Sequence, residues 1–253
     1  MCGRYLITTA PEAMRALFRY LEQPNFPARY NVAPTQPVPI VRLLEGARQF
    51  ALVRWGFLPS WVKDPKNFTL LFNARGDTAL EKPAFRNAMV RRRCLFPADG
   101  FYEWKSEGGR KRPFVARPHD GAPMAFAGVW ETWTGPNGEE VETAAIVTTD
   151  ANAEMAAVHH RAPVIVPPGQ FDFWLDCANV NEQEAAALFV RAPEGSMQVY
   201  EISTAVNRDA NDSAELLKPY DGSAQPAPAP KPKPARKPAP KPQPEDSGQG
   251  SLF

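Results

Sequence analysis

The sequence predicts an α+β fold of curved, largely antiparallel β-sheets, barrel-like in arrangement, with short flanking helices. Three observations favour it. The chain contains three pairs of β-rich runs around tight turns, its helical segments are short and dispersed among them, and it has no internal repeat. With 253 residues, the chain is long enough for one sizeable domain with its own core. We expect that domain to span residues 1–220.

The three hairpins are predicted from their turn residues. Runs rich in β-branched and aromatic residues flank each turn, as is typical of antiparallel pairs. The turns are expected at Glu45-Gly46, at Gly108-Gly109 and at Pro136-Asn137-Gly138.

One helix is predicted near the start and four short ones further on. In "PEAMRALFRYLE" the apolar residues recur at helical spacing behind a Thr and Pro start, at Met14, Leu17, Phe18 and Leu21. The remaining helices are expected at 83–92, 151–158, 168–175 and 181–190.

Composition and charge exclude several classes of protein. The net charge is +1, so any nucleic-acid surface must come from local patterning. We see neither a signal peptide nor an apolar run of membrane-spanning length, and expect no membrane association. The three cysteines lack the spacing of a disulfide framework or a zinc site, which indicates a reducing, cytoplasmic compartment and no metal. Cys94 and Cys177 are expected to be small apolar side chains.

Composition changes near residue 221. From there proline recurs almost every second residue, among alanines and lysines. Such a segment has too few apolar residues to fold, so residues 221–248 are predicted to be a disordered, polyproline-like linker. The last five residues, 249–253, read "QGSLF".

The chain begins "MCGRY", with a cysteine directly after the initiator methionine. Removal of Met1 would leave Cys2 with a free α-amine beside its thiol, a 1,2-aminothiol that no internal cysteine offers. Alternatively, position 2 is an ordinary loose terminus.

Further polar residues stand where an apolar or ordinary turn residue is expected. Asn73 and Arg75 follow an apolar run, Glu103 lies inside a strand-like aromatic run, and His159 and His160 sit between a helix and a strand. Each has an ordinary alternative: a turn, a solvent-facing glutamate, and surface histidines.

Nine motifs in one order resemble a known family. They are "MCGRY", "YNVAPTQ", "WGFLPSW", "NAR", "KPAFR", "RRRCLFPADGFYEWK", "AFAGVWE", "IVTTDANAEMAAVHHRAPVIV" and "VNRDANDS". Together they resemble the SRAP family, the SOS response-associated peptidases, now understood as abasic-site processing proteins. The resemblance spans residues 2–219.

The resemblance implies a covalent reaction with DNA. In the family, the mature N-terminal cysteine attacks the aldehyde of an abasic site in single-stranded DNA. A Schiff base forms first, and the thiol then closes a thiazolidine ring, which shields the site during replication. Matched by motif, the nucleophile is Cys2, surrounded by Asn73, Glu103 and His159. We expect Glu103 to shuttle protons at the Schiff base, His159 to assist opening of the sugar ring, and Asn73 to hold residue 2. This chemistry requires no cofactor.

Contacts with DNA are expected mostly along its backbone. The phosphate candidates are arginines: Arg4, Arg75, Arg86 and Arg161. Candidates for stacking on bases or wedging beside them are Asn31, Pro34, Trp61 and Trp104.

The sequence departs from the family pattern at two places. The family commonly has an acidic residue after the histidine, where this chain has His160, so either His159 or His160 is the working histidine. After "NAR" the family often has Ala-Glu-Thr, but here Gly76-Asp77-Thr78 follows. Asp77 is one methylene shorter than that glutamate, so the resemblance does not carry a contact of the family's carboxylate over to it.

The C-terminal "QGSLF" resembles the peptide that docks on the bacterial β sliding clamp. Gln249, Leu252 and Phe253 are its candidate contacts, because two adjacent apolar residues at a disordered terminus fit a partner's pocket. A chance terminus is the alternative.

For the whole protein we expect a monomer associated with the nucleoid. Two further readings stay open, a thiol peptidase limited to releasing Met1 and a non-catalytic adaptor that binds DNA and the clamp.

Overall fold

In a computed structural model, residues 2–222 are described; the predicted linker and the C-terminal peptide lie outside them. The strands are β1 (Tyr5–Ile7), β2 (Arg29–Val32), β3 (Pro37–Leu44), β4 (Ala47–Trp55), β5 (Asn73–Arg75), β6 (Arg93–Ala98), β7 (Gly100–Glu107), β8 (Arg110–Pro118), β9 (Met124–Thr134), β10 (Glu140–Asp150), β11 (Arg161–Pro163) and β12 (Met197–Glu201).

The helices are all short. The α-helices are α1 (Pro11–Phe18), α2 (Arg86–Arg91), α3 (Ala153–Ala156), α4 (Phe171–Leu175) and α5 (Glu182–Ala185), and 3-10 turns cover Pro168–Gln170, Ala186–Leu188, Thr204–Asn207 and Ala214–Leu217. In residues 2–222 none is long and apolar enough to cross a membrane.

The strands form a closed barrel and a second, open sheet. Strands β10, β4, β3, β6 and β9 each pair with the next, and β9 pairs with β10 again, which closes a five-stranded ring. β5 and β11 extend this ring along β10. The open sheet has the strand order β12-β8-β7-β1-β2. The predicted α+β class with barrel-like antiparallel sheets is confirmed.

Aromatic side chains join the open sheet to the barrel. Tyr5 on β1 meets Trp55 on β4 with ring centroids 5.3 Å apart, and it meets Phe126 on β9 at 6.1 Å. Phe101 on β7 packs edge-on against Phe126 at 5.9 Å. Edge-to-face aromatic pairs add to the energy of burial. This shared core fixes β1, and with it the start of the chain, against the barrel.

The three hairpins occur where the turn residues predicted them: β3–β4, β7–β8 and β9–β10. The turn at Glu45-Gly46 has φ values of 50° and 76°, and that at Gly108-Gly109 has 56° and 75°. Two consecutive positive φ values define the type I′ turn, whose twist matches that of paired strands.

The predicted helices are present, and four of the five are shorter than expected. The segment 168–175 is helical throughout, as a 3-10 turn followed by α4. α1 ends at Phe18 because Arg19 adopts a left-handed conformation, with φ 58° and ψ 38°. Met14 and Phe18 are buried as predicted, but Leu21 is 74% exposed. The expectation that Leu21 continues the apolar face was therefore wrong, since the helix has already ended there.

Candidate active site

Strand pairing places Cys2 beside Glu103. β1 and β7 are antiparallel with Tyr5 opposite Phe101, and Tyr102 N donates to Arg4 O at 2.9 Å. Continuing this register sets Gly3 opposite Glu103. Both Cys2 and Glu103 are buried, at 0% and 3% exposure, so the glutamate is not the solvent-facing residue that simple alternation would give.

Asn73 ties residue 2 to the barrel. It begins β5, which runs parallel to β10 with Asn73 opposite Ile146. Its Nδ2 donates to the carbonyl oxygen of Cys2 at 2.8 Å. Asn73 therefore holds the backbone of residue 2 from the side of β5, while β7 holds the chain from Arg4 onward.

His159 approaches the same site from the segment before β11. Its Nδ1 lies 3.0 Å from Arg161 N, which donates to it, and 3.2 Å from Arg161 O. The ring is half-buried, and the backbone of Arg161 fixes its position. His160 is exposed and stacks on the His159 ring.

The electrostatics show that these side chains share one environment. Burial raises the pKa of the Cys2 thiol well above its usual range, and the negative charge of Glu103 raises it further. Burial lowers the pKa of His159, while the charge of Glu103 opposes that shift. The Cys2 thiol donates to Arg4 O at 3.7 Å. The resting site thus favours a protonated thiol at Cys2 and the neutral form of the His159 imidazole, both close to Glu103.

Two of the predicted phosphate ligands are held mainly from inside the protein. Arg4 Nη1 donates to Asn31 Oδ1 at 2.7 Å and to Val206 O at 2.8 Å, and Nη2 meets the exposed Asp209 at 2.8 Å. Arg161 Nη2 donates to Thr148 O at 2.7 Å, and Nη1 meets Asp150 at 3.2 Å.

The other two arginines face solvent more fully. The side chain of Arg75 is 50% exposed and pairs with Asp77 at 2.7 Å. Asp77 also lies 3.7 Å from Arg161, so Asp77 joins Arg75 to Arg161 despite being shorter than the family's glutamate. Arg86 is exposed at the first turn of α2.

The glycine after "NAR" has a steric cause. A Cβ atom at Gly76 would lie 2.9 Å from Phe189 Cδ2 and 3.1 Å from Thr148 O. Gly76 N also donates to Thr148 O at 2.8 Å. The close approach favours glycine where the family often has alanine.

The residues predicted to touch bases fall into different surroundings. Trp61 is 57% exposed in the loop between β4 and β5 and packs edge-on against Phe68. Pro34 is half-buried in the turn after β2. Trp104 is half-buried, and its Nε1 donates to Asn207 Oδ1 at 2.8 Å.

Asn31 differs from that group because it is fully buried. Its Nδ2 donates to the carbonyl oxygens of Val206, Arg208 and Asn211 at 3.1, 3.0 and 2.8 Å. With Oδ1 accepting from Arg4, the side chain faces the protein interior.

Sequence reasoning missed a set of acidic residues that organise the site. Asp99 is buried and accepts from Thr8 N and Thr9 N, which fixes the end of β1. Asp212 accepts from Asn31 N at 3.1 Å and Arg29 Nε at 3.0 Å. Membership in quoted motifs was the available signal: Asp209 and Asp212 belong to "VNRDANDS", and Asp99 belongs to "RRRCLFPADGFYEWK". Among residues 2–222, no group of three or more His, Cys, Asp or Glu is arranged to hold a metal.

Fold and site together define a protein of the SRAP class, in which the second residue is embedded between two sheets. The chain matches the family described as SOS response associated peptidase (SRAP) over residues 1–209, and it belongs to that family. The resemblance drawn from the nine motifs is confirmed.

Similar proteins cover nearly the whole domain. The chain is 35% identical over 221 residues to the abasic site processing protein YoaM of Bacillus subtilis, covering 86% of this chain and 97% of that protein. It is 30% identical over 227 residues to the abasic site processing protein YedK of Escherichia coli, covering 87% and 100%. A crystal structure of a Bacteroides thetaiotaomicron protein matches with a TM-score of 0.78 at 26% identity, covering 87% of this chain and 100% of that chain.

Proposed function

We propose that this protein processes abasic sites in single-stranded DNA by forming a covalent crosslink through Cys2. The observation that carries the proposal is the hydrogen bond from Asn73 Nδ2 to Cys2 O at 2.8 Å. It holds the second residue, rather than an internal one, next to a buried glutamate and a histidine. The similar proteins of Bacillus subtilis and Escherichia coli are named abasic site processing proteins, which supports an abasic site as the substrate.

The chemistry balances with one molecule of water released. Once Met1 is removed, the neutral α-amine of Cys2 attacks the aldehyde carbon of the opened sugar, and loss of water gives the C=N bond of a Schiff base. The thiol sulfur then adds to that carbon while its proton passes to the nitrogen, which closes the thiazolidine. Glu103 carries protons between these groups, and His159 assists opening of the sugar ring.

The protonated thiol gives the reaction an order. Because burial and Glu103 raise the pKa of the Cys2 thiol, the amine acts first and the thiol follows. A cysteine peptidase needs the opposite, a thiol with a lowered pKa. The site therefore favours Schiff-base chemistry over general peptidase activity. Release of Met1 is the one peptide-bond cleavage that remains an alternative.

Three arginines supply the phosphate contacts. Arg4, Arg75 and Arg161 each pair with a partly or largely exposed aspartate: Asp209, Asp77 and Asp150, whose side chains are 60%, 45% and 59% exposed. A phosphate oxygen has the charge and geometry to replace such a carboxylate. Arg86, Trp61, Pro34 and Trp104 remain candidates for further backbone and base contacts. We assign Asn31 the different role of positioning Arg4.

A denaturing-gel assay tests the proposal. We expect wild-type protein to give a slow-migrating adduct with single-stranded DNA carrying one abasic site, and none with undamaged DNA. Cys2→Ala should abolish it, while Cys177→Ala, which removes a half-buried thiol elsewhere, should not. Glu103→Gln should slow it by about 10²–10⁴-fold, the usual worth of a general acid–base group. Adducts that survive Cys2→Ala would refute the proposal.

The C-terminal peptide is a separate part of the proposal. Gln249, Leu252 and Phe253 lie outside the described residues, and we keep them as the contacts with a bacterial sliding clamp. Tethering would raise the local concentration of the domain on DNA. A labelled peptide of residues 245–253 should bind the clamp in an anisotropy titration, and the same peptide with Leu252→Ala and Phe253→Ala should not. Equal binding by both peptides would remove the clamp partner.

A further inference from the structure

A row of alternating arginines and aspartates lies at the end of β10. Arg75 pairs with Asp77 at 2.7 Å, and Asp77 lies 3.7 Å from Arg161. Arg161 pairs in turn with Asp150 at 3.2 Å, and Asp150 pairs with Arg191 at 3.5 Å. The row therefore continues one arginine beyond the phosphate candidates that the sequence predicted.

The segment that carries Arg191 is anchored to the same strand. Thr149 Oγ1 donates to Phe189 O at 2.9 Å, and the Phe189 ring packs against Trp174 with centroids 6.0 Å apart. The side chain of Arg191 is nevertheless 61% exposed. Its guanidinium is thus held near Asp150 by an anchored backbone and is still open to a ligand from solvent.

Asp150 is the exposed link between two arginines. Its side chain is 59% exposed, its Oδ1 faces Arg161 and its Oδ2 faces Arg191. Ion pairs between exposed side chains contribute only about 0–1 kcal/mol to stability. A phosphodiester presents two charged oxygens on one centre, as a carboxylate does, so a DNA phosphate can take the place of Asp150 between the two guanidinium groups.

We propose that Arg191 is a further phosphate-binding residue, which extends the DNA contacts of Arg75 and Arg161 by one position along the strand. A backbone phosphate then lies between Arg161 and Arg191, where Asp150 lies in the free protein. Contacts of this kind position the strand and read no base sequence. The inference rests on the proposed function, because it takes single-stranded DNA to be the ligand.

Anisotropy titrations with undamaged single-stranded DNA at several salt concentrations test the contact without any covalent step. We expect Arg191→Gln to lose about 0.7 from the slope of log affinity against log salt, so its deficit in affinity should shrink about two- to threefold when salt is raised fourfold. Arg191→Lys, which keeps the charge, should keep the slope. Arg15→Gln, which changes an exposed arginine on α1, is the matched control and should also keep it. A wild-type slope in Arg191→Gln would overturn the inference.

An Asp150→Asn background separates a phosphate contact from charge balance within the protein. We expect Arg191→Gln to lose the same slope in this background, measured against Asp150→Asn alone, because the phosphate contact remains. If Arg191 only neutralises Asp150, the second change has no effect on binding once residue 150 is uncharged. That result would also overturn the inference.

Adduct formation with abasic DNA separates this inference from the proposed function. If the slopes change as expected but no protein forms an adduct, the covalent function fails and Arg191 remains a phosphate ligand. If the wild-type protein forms adducts and Arg191→Gln keeps the wild-type slope, the inference fails alone. Failure of the wild-type protein to bind single-stranded DNA would overturn both.

Discussion

At the scale of single residues, the site depends on how firmly the second residue is held. Cys2 has no exposed surface, and its carbonyl is tied to Asn73, while the next residues join β7 in register. The α-amine produced by removing Met1 would therefore emerge at a defined place, close to Glu103 and His159. Positioning of this kind contributes much of an enzyme's rate.

Asn73→Ala removes the side-chain hydrogen bond to Cys2 O. Because the reacting residue would then sample other positions, we expect the crosslinking rate to fall by about tenfold to a hundredfold. Thermal unfolding should change little, since Asn73 is only half-buried. Rates are compared by single-turnover quenching, with Asn67→Ala on the exposed loop as control. Full activity in Asn73→Ala would show that the hydrogen bond is dispensable.

Sequence motifs predicted which residues lie around Cys2 but not the structural role of each residue. Asn31 was predicted to contact DNA because it lies in "YNVAPTQ", yet its three carbonyl partners are 175 to 180 residues away along the chain. Contacts of such range have no local pattern. Asp99, Asp209 and Asp212 escaped prediction for the same reason.

At the scale of elements, a C-terminal strap secures the N-terminal strands. We use the name strap for residues 203–212, which run over the edge strand β2. Asn31 and Asp212 bond it to β2, and Arg4 bonds it to the residues just after Cys2. The strap thus joins the end of the domain to its beginning and indirectly supports Cys2, the proposed nucleophile.

Asn31→Ala tests the strap. The change removes a buried amide donor shared by three carbonyl oxygens of the strap. Val206 O keeps its bond from Arg4 and Arg208 O keeps its bond from Asn211 N, and we expect about 1–3 kcal/mol to be lost from the free energy of unfolding. Urea denaturation followed by tryptophan fluorescence measures it. The matched control is Asn67→Ala. Asn67 is exposed and its side chain donates to Asp64, so this change should cost less than about 0.5 kcal/mol of unfolding free energy. An equal effect of both variants would mean that the strap contributes no stability.

The hairpins were predictable and the barrel closure was not. Gly46, Gly109 and Gly138 mark turns that join neighbouring strands, and such information is local. Closure depends on the parallel pairing of β10 with β4, two strands that are far apart in the sequence. β5 adds to β10 in the same way. Short runs such as Asn73–Arg75 gave no strand signal of their own, because β10 imposes their conformation.

At the scale of the whole molecule, the chain has a net charge of +1, and the proposed phosphate contacts are confined to a few arginines near Cys2. Arg75 and Arg161 flank Thr148 from two strands, and Asp77 and Asp150 lie between them. Replacing these carboxylates by phosphates would bring DNA to the site without a large net charge. Binding of this type releases counterions and weakens as salt rises.

Arg75→Gln tests that surface. For single-stranded DNA each phosphate contact contributes about 0.7 to the slope of log affinity against log salt. We expect the variant to bind more weakly at low salt and to lose about that much slope, independent of base sequence. Arg110→Gln, at the exposed tip of the β7–β8 hairpin, is the control and should keep the wild-type slope. Identical slopes in all three proteins would exclude Arg75 as a phosphate ligand.

The most direct test of the central claim is the intact mass of the protein after reaction with single-stranded DNA containing one abasic site. We predict one new species, with the mass of the protein lacking Met1 plus that of the DNA minus one water, and peptide mapping should place the link at Cys2. Borohydride, which reduces a Schiff base, should not be needed to preserve it once the thiazolidine has closed. A protein with a confirmed N-terminal Cys2 that stays at its unreacted mass, or a link at any other residue, would contradict the claim.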